Sequence, residues 1–213
     1  MKVVIPASER AFRLYRSYCV SPTLDTLFNL LNAIHSLNDK LDKVKLGGFF
    51  DIHEFIALKA LRNFFHHQEE LVNEMRIIPI QDLPPITTDL LYLCLVPSNL
   101  VEKAILTIPN KYRANEEVVI KSVLDWYGTV VNINPCIFNF MVKVFEHLER
   151  KSIKLLGDEY LDFAASYEFE AENGHSHFVT GVIECHVGSV EEVLKKAFTS
   201  SYITDVSKYT RNA

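Results

Sequence analysis

Between residues 21 and 43 apolar side chains recur at intervals of three and four, at Leu24, Leu27, Phe28, Leu31, Ile34, Leu37 and Leu41. On a helix with 3.6 residues per turn they form one stripe, with Asn29, Asn32, Ser36, Asp39 and Lys43 off it. A stripe of that length needs a partner surface, so the chain is committed to a helical core. Ser21-Pro22 supplies an N-cap and a first helical position, and Gly47-Gly48 closes the element after about residue 44. Asp51 then reads as the N-cap of a further helix, with Glu54 completing a capping-box pattern. Apolar residues and good helix formers carry it to about Met75, where Ile78-Pro79 stops it. The short connection predicts a long antiparallel helical hairpin.

Elsewhere the pattern is also largely helical. Residues 8–19 read as a helix capped by Ser8, with Arg10, Arg13 and Arg16 on its surface. Residues 81–88, with Pro84-Pro85, read as a connector. The run 90–96 is apolar on every side; a buried strand and a buried helical turn share that signature, and helix is the expectation. Helices are predicted over 98–108, from 115 to about 129, and from Pro135 through Leu148. Residues 1–156 thus form a predicted bundle, with 157–213 as an appendage packed on it. In the appendage Tyr167-Glu168-Phe169-Glu170 alternates, Asn173-Gly174 is a hairpin pair, and 178–182 is rich in β-branched residues. These suggest a small β-hairpin or irregular structure, followed by a helix over 190–198 and a loose tail. The expected class is mainly α: a helical bundle built on a long antiparallel hairpin, with a candidate small β-hairpin near the C-terminus.

Composition narrows the function classes. With 213 residues, 48% of them hydrophobic, the chain can bury one substantial core. Seven Gly and eight Pro, without a rich stretch or a period, argue against linker-dominated and repeat architectures. A formal charge of −5 argues against a protein that grips nucleic acid over its whole surface and leaves room for a local basic pocket. The N-terminal apolar run is too short for a signal sequence, and no run is long enough to span a bilayer, so a soluble, cytoplasmic protein without a membrane partner is expected. Cys19, Cys94, Cys136 and Cys185 are scattered, which points to reduced thiols rather than a zinc knuckle or disulfide scaffold.

Chemistry-bearing groups concentrate at one place, Leu61-Arg62-Asn63-Phe64-Phe65-His66-His67-Gln68-Glu69-Glu70. Arg62 and His66, four apart, share a helix face; His67 is rotated one residue further and meets Arg62 only where the helix bends or ends. Histidine can move protons to and from a hydroxyl near neutrality, and arginine can steady a phosphate that gains charge in the transition state. Those are the minimum parts for metal-free RNA cleavage through the 2′-hydroxyl.

Arg62-Asn63-x-x-x-His67 resembles the R-x4-6-H motif of the HEPN superfamily, including the polar residue after the arginine. The resemblance covers roughly residues 20–75. It implies an all-α bundle whose two long antiparallel helices carry the motif, paired as a homodimer, and a metal-independent endoribonuclease of toxin or phage-defence type. An antitoxin protein would be a further partner. In those terms Arg62 would bind and stabilise the scissile phosphate, His67 would transfer the proton, and Asn63 would support the pocket. His66 has no family role; its place beside Arg62 makes it a candidate substrate-binding residue. No cofactor and no metal are expected. The alternative is a non-catalytic HEPN-like module binding a nucleotide or a partner protein through the same cleft.

His53, His66, His67, Glu69 and Glu70 could hold a metal in a bundle, although the E-x-x-H pairs of di-iron bundles are missing. His175, His177, Cys185 and His186 fit no zinc spacing well and read as loop residues. Lys111, Arg113 and Lys121 form a modest basic tip. Walker, dinucleotide-binding and nucleophile-elbow patterns do not occur.

Overall fold

The striped segment forms a helix, and Thr23 rather than Ser21 starts it. Thr23 Oγ1 accepts from the Thr26 amide at 3.1 Å and Thr26 Oγ1 accepts from the Thr23 amide at 2.8 Å, a reciprocal cap built from two threonines. In this computed structural model, which describes residues 2–79 and 90–179, the helix is α2 (Leu24–Lys43), preceded by α1 (Val4–Val20) and followed by α3 (His53–His67). After them come β1 (Glu74–Pro79), β2 (Leu90–Pro97), α4 (Ser98–Leu106), α5 (Asn110–Val123), β3 (Asp125–Tyr127), β4 (Val130–Asn132), α6 (Asn134–Arg150) and α7 (Asp158–Glu172). The protein is mainly helical.

Leu27, Leu30, Leu31, Ile34, Leu37 and Leu41 of α2 are all buried. Helix α2 lies between α1 and α3, and its most extensive packing is with α1. Its antiparallel pairing with α3 is fixed by Phe28 against Phe65, Asn32 against Arg62 and His35 against Phe55. The turn between α2 and α3 folds inward. Phe49 is fully buried among the rings of Phe55, Phe140 and His147, and its amide donates to the buried Asn38 Oδ1 at 2.7 Å.

Helix starts differ from expectation for local reasons. Ser8 is no cap; α1 begins at Val4, with Pro6 tolerated in the first turn, and Ser8 is buried in the interior. Asp51 stands one position too early to cap α3, whose N-cap is Ile52. Glu54 instead pairs with Lys143 of α6 at 2.6 Å.

The bundle is interrupted by an antiparallel sheet of order β1-β2-β4-β3, which corrects three helix expectations. The third helix ends at His67, not near Met75, and residues 74–79 form β1. The apolar run 90–96 is a strand: Leu93, Cys94, Leu95 and Val96 are buried alike because both faces of β2 are covered, which erases alternation. The helix expected to run to about residue 129 stops at Val123. Beyond it β3 and β4 pair across a two-residue loop whose first member, Gly128, has φ +65°, the arrangement of a II′ turn.

The candidate β-hairpin is corrected as well, because residues 167–170 belong to α7. Tyr160, Phe163 and Tyr167 recur at helical spacing and pack on Phe12, Tyr15 and Phe145, whereas Phe169 is 61% exposed. The apparent alternation pairs one buried ring with one solvent-facing ring. The rest of that hairpin, the helix over 190–198, Cys185 and His186 lie outside the described residues. Among the described residues no helix is long and apolar enough to cross a membrane.

Candidate functional site

Helix α3 delivers the motif to its own C-terminal end. Gln68 is the C-cap, its amide bonded to Phe64 O at 2.9 Å, so His66 and His67 occupy the last turn and are exposed. Arg62 and Asn63, one turn earlier, are half-buried. Arg62 is held from two sides: Nε donates to Asn32 Oδ1 of α2 at 2.9 Å, and Nη1 donates to Asn63 Oδ1 at 3.2 Å. Asn32 is itself anchored, its amide donating to Phe28 O at 2.9 Å. Both acceptors of Arg62 are neutral amides, and among the described residues no carboxylate forms an ion pair with it. Its guanidinium is therefore oriented, with its charge uncompensated and further N–H groups to offer.

The two imidazoles touch. His66 Nδ1 and His67 Nδ1 are 3.3 Å apart, with ring centroids 4.5 Å apart and nearly perpendicular. One Nδ1 can donate to the other, the direction being set by the tautomer of each ring. His66 also stacks on Phe28 of α2, centroids 6.0 Å apart and planes within 10°. Desolvation against that neighbourhood, then the Arg62 cation and His67, hold the His66 imidazole below its ordinary value. A neutral imidazole can accept a proton at neutral pH.

Arg62 and His67 do not bond to each other. Asn63 links them on one side, accepting from Arg62 while lining the same cleft as His67. Arg62 and His66 do not line that cleft; they face α2 through Asn32 and Phe28, and His66 reaches His67 only through the Nδ1 contact. The cleft, of about 540 Å³, lies between α3 and the connection from α4 to α5, and Thr107, Ile108 and Tyr112 form its far wall. Acidic neighbours are partly neutralised: Lys103 of α4 pairs with Glu69 at 2.6 Å, and Lys59 pairs with Glu116 at 3.1 Å.

Asn32, Phe28 and Lys103 are additions that sequence reasoning did not supply. Asn32 was legible only as a polar residue off the stripe, and its role requires knowing which helix α2 faces. Among the described residues no three His, Cys, Asp or Glu side chains converge to hold a metal ion. His53 stands at the opposite end of α3, and Glu70 lies beyond the helix. Of the second histidine cluster, His177 is stacked on Tyr167 at 3.6 Å with Nδ1 2.8 Å from Glu170. The basic tip is spoken for: Arg113 donates to the carbonyls of Leu106 and Ile108, Lys121 pairs with Glu117, and Lys111 Nζ lies over the Tyr112 ring at 4.4 Å.

A second cavity, about 370 Å³, lies between α1, α6 and α7 and is lined by Tyr15, Cys19, Tyr92, Phe163 and Tyr167. Burial pushes the Cys19 thiol up to about 11, which keeps it a protonated, unreactive group. No family model, curated protein or solved structure matches the chain.

Proposed function

We propose that the chain is a HEPN-like, metal-independent endoribonuclease, active as a homodimer that brings two copies of Arg62-Asn63-x-x-x-His67 together. The carrying observation is Arg62: a half-buried cation fixed by two amides, lacking an acidic partner among the described residues, one turn from a linked pair of imidazoles. A structural arginine ordinarily finds a carboxylate; one held only by neutral acceptors suits an anion that arrives from outside.

In this reading the free Arg62 N–H groups and Asn63 bind the phosphodiester. When His66 Nδ1 accepts from His67 Nδ1–H, His67 Nε2 carries a lone pair that can remove the ribose 2′-hydroxyl proton. The 2′-oxygen attacks phosphorus, the bond to the 5′-oxygen breaks with its electron pair, and that oxygen takes up a proton, for which the second imidazole is the nearest donor. The products are a 2′,3′-cyclic phosphate and a 5′-hydroxyl. Arg62 compensates the charge gathering on the phosphoryl oxygens. A toxin or phage-defence setting, and an antitoxin partner, belong to the same proposal.

The test is incubation of single-stranded RNA with the purified chain in EDTA. Cleavage that persists, ends in cyclic phosphate and falls at least about a hundredfold in His67→Ala and Arg62→Ala is the expected result. Absence of cleavage on any RNA would favour the non-catalytic module, and turnover that needs a divalent cation would replace the mechanism.

A further inference from the structure

One turn and more from the imidazoles, the same cleft contains a charged pair that the chemistry above does not use. Lys59 Nζ lies 3.1 Å from Glu116 Oε1, with the two side chains only 18% and 17% exposed. Glu116 Oε2 is closed off from water and has no hydrogen-bond partner among the described residues. A carboxylate oxygen left so is costly, and a donor that entered the cleft would relieve it. Lys59 is also incompletely used: one N–H serves Glu116, a second faces the Phe50 ring at 5.3 Å, and a third remains. Lys59, Asn63 and His67 recur every fourth residue and so lie along one stripe of α3, about 6 Å per step. Tyr112, one turn before Glu116 on α5, lines the cleft with its ring 49% exposed.

We propose that Lys59, Glu116 and Tyr112 form a base subsite for guanine; the inference rests on the nuclease reading only for where the phosphate sits. Guanine presents, side by side, the O6 acceptor, the N1–H donor and the N2 amino donor. A carboxylate next to an ammonium is the complement of that edge: Glu116 accepts from N1–H and N2–H, and Lys59 donates to O6. Turning the Glu116 carboxylate about its terminal torsion, which is broad and soft, brings Oε2 to the cleft. Adenine and cytosine set a ring-nitrogen acceptor against the carboxylate, and uracil has a single N–H between two carbonyls. Lys111 Nζ lies 4.4 Å from the centroid of the Tyr112 ring and covers one face, and the other face offers a base a stacking surface, as single-stranded recognition commonly uses. The two turns of α3 between His67 and Lys59, about 12 Å along the axis, suit a nucleotide whose phosphate is at His67 and whose base lies toward α5.

The experiment is calorimetric titration of the full chain, in EDTA, with the 3′- and 5′-monophosphates of guanosine, inosine, adenosine, cytidine and uridine. Guanosine nucleotides are expected to bind roughly tenfold tighter or more than those of adenosine, cytidine and uridine. Inosine, which lacks only the N2 amino group, should fall between. In Glu116→Gln, which places an N–H where guanine needs an acceptor, the preference should collapse while the phosphate-dependent affinity common to all bases persists; a merely structural ion pair would not change that ratio. Equal binding of all bases, or a preference that survives in Glu116→Gln, overturns the proposal. If the variant does not fold, the panel on the native chain decides alone. Guanine-selective binding without RNA cleavage would end the nuclease reading and leave the subsite; cleavage without base preference would do the reverse.

Discussion

Arg62 of α3 and Asn32 of α2 are joined across the helical hairpin by a 2.9 Å hydrogen bond from Nε to Oδ1. The bond leaves the guanidinium charge uncompensated while fixing its direction. An Asp at position 32 would neutralise the cation, and a Leu would let it swing. Asn32→Leu, close to Asn in volume, is therefore expected to lower RNA cleavage about ten- to a hundredfold, the worth of a hydrogen bond to a charged group, while costing only about 1 kcal/mol of stability. Cleavage rates and melting curves on the same preparation check it; unchanged cleavage would remove Asn32 from the site.

The His66–His67 pair gives a pH signature. His66 is held below its ordinary value by desolvation, with Arg62 and His67 adding to it. Removing the cation in Arg62→Gln takes away one of those causes, so His66 should titrate at a higher pH than in the native chain. Histidine ring-proton shifts followed by NMR report this directly. A midpoint that stays put or falls would mean that Arg62 does not face the pair. Because a neutral imidazole must accept the ribose proton, cleavage should rise with pH on the acid side.

Asp125, on the edge strand β3, is pushed up to about 6 by burial, and its Oδ2 has no hydrogen-bond partner among the described residues. A folded value above the unfolded one means that the fold prefers the protonated acid. Its contribution is fully present below the unfolded pKa, about 3.8, and is lost as pH rises through about 6. Asp125→Asn fixes the uncharged form, so it should stabilise at pH 7 by on the order of 1 kcal/mol after allowance for solvent screening, and change little at pH 4. Denaturant midpoints at the two pH values test the sign.

Gly48 is held by its surroundings. A Cβ there would come within 2.5 Å of Asn38 Oδ1 and 2.6 Å of Asp42 Oδ1. Asn38 cannot easily give way, since it is fully buried and accepts from the Phe49 amide. Gly48→Ala should destabilise by about 1–3 kcal/mol, the range for overpacking. A neutral result in thermal or urea unfolding would show that the α2–α3 turn is more yielding than its geometry implies.

How far the fold could be read depended on the range of the signal. The α2 stripe and the helix carrying Arg62 to His67 were legible because helical periodicity is local: each turn repeats the face of the last. The strand at residues 90–97 was not legible, since a run buried on both faces has no alternation to display and its partners, β1 and β4, lie elsewhere in the chain. Tyr167 and Phe169 misled for a related reason. Two rings two residues apart suggest a strand until Phe145 singles out Tyr167 and leaves Phe169 to solvent. Cap positions slipped by one or two residues, to Thr23 for α2 and to Ile52, which makes no side-chain cap, for α3, because the packing of the whole helix sets where its first turn begins.

By itself the sequence determined that one helix runs through about residues 24–43, that a second begins shortly after residue 51, and that the second carries an arginine, an amide and two histidines together; its end at His67 was set by the structure. Tertiary structure alone decided what surrounds them: that Asn32 and not a carboxylate meets Arg62, that Phe28 stacks on His66, and that Glu116 of α5 comes to meet Lys59 of α3 in the cleft. The physical reason is that helix formation is set by neighbours three and four residues away, whereas the charge, solvation and reach of a site are set by side chains brought close only when the core packs.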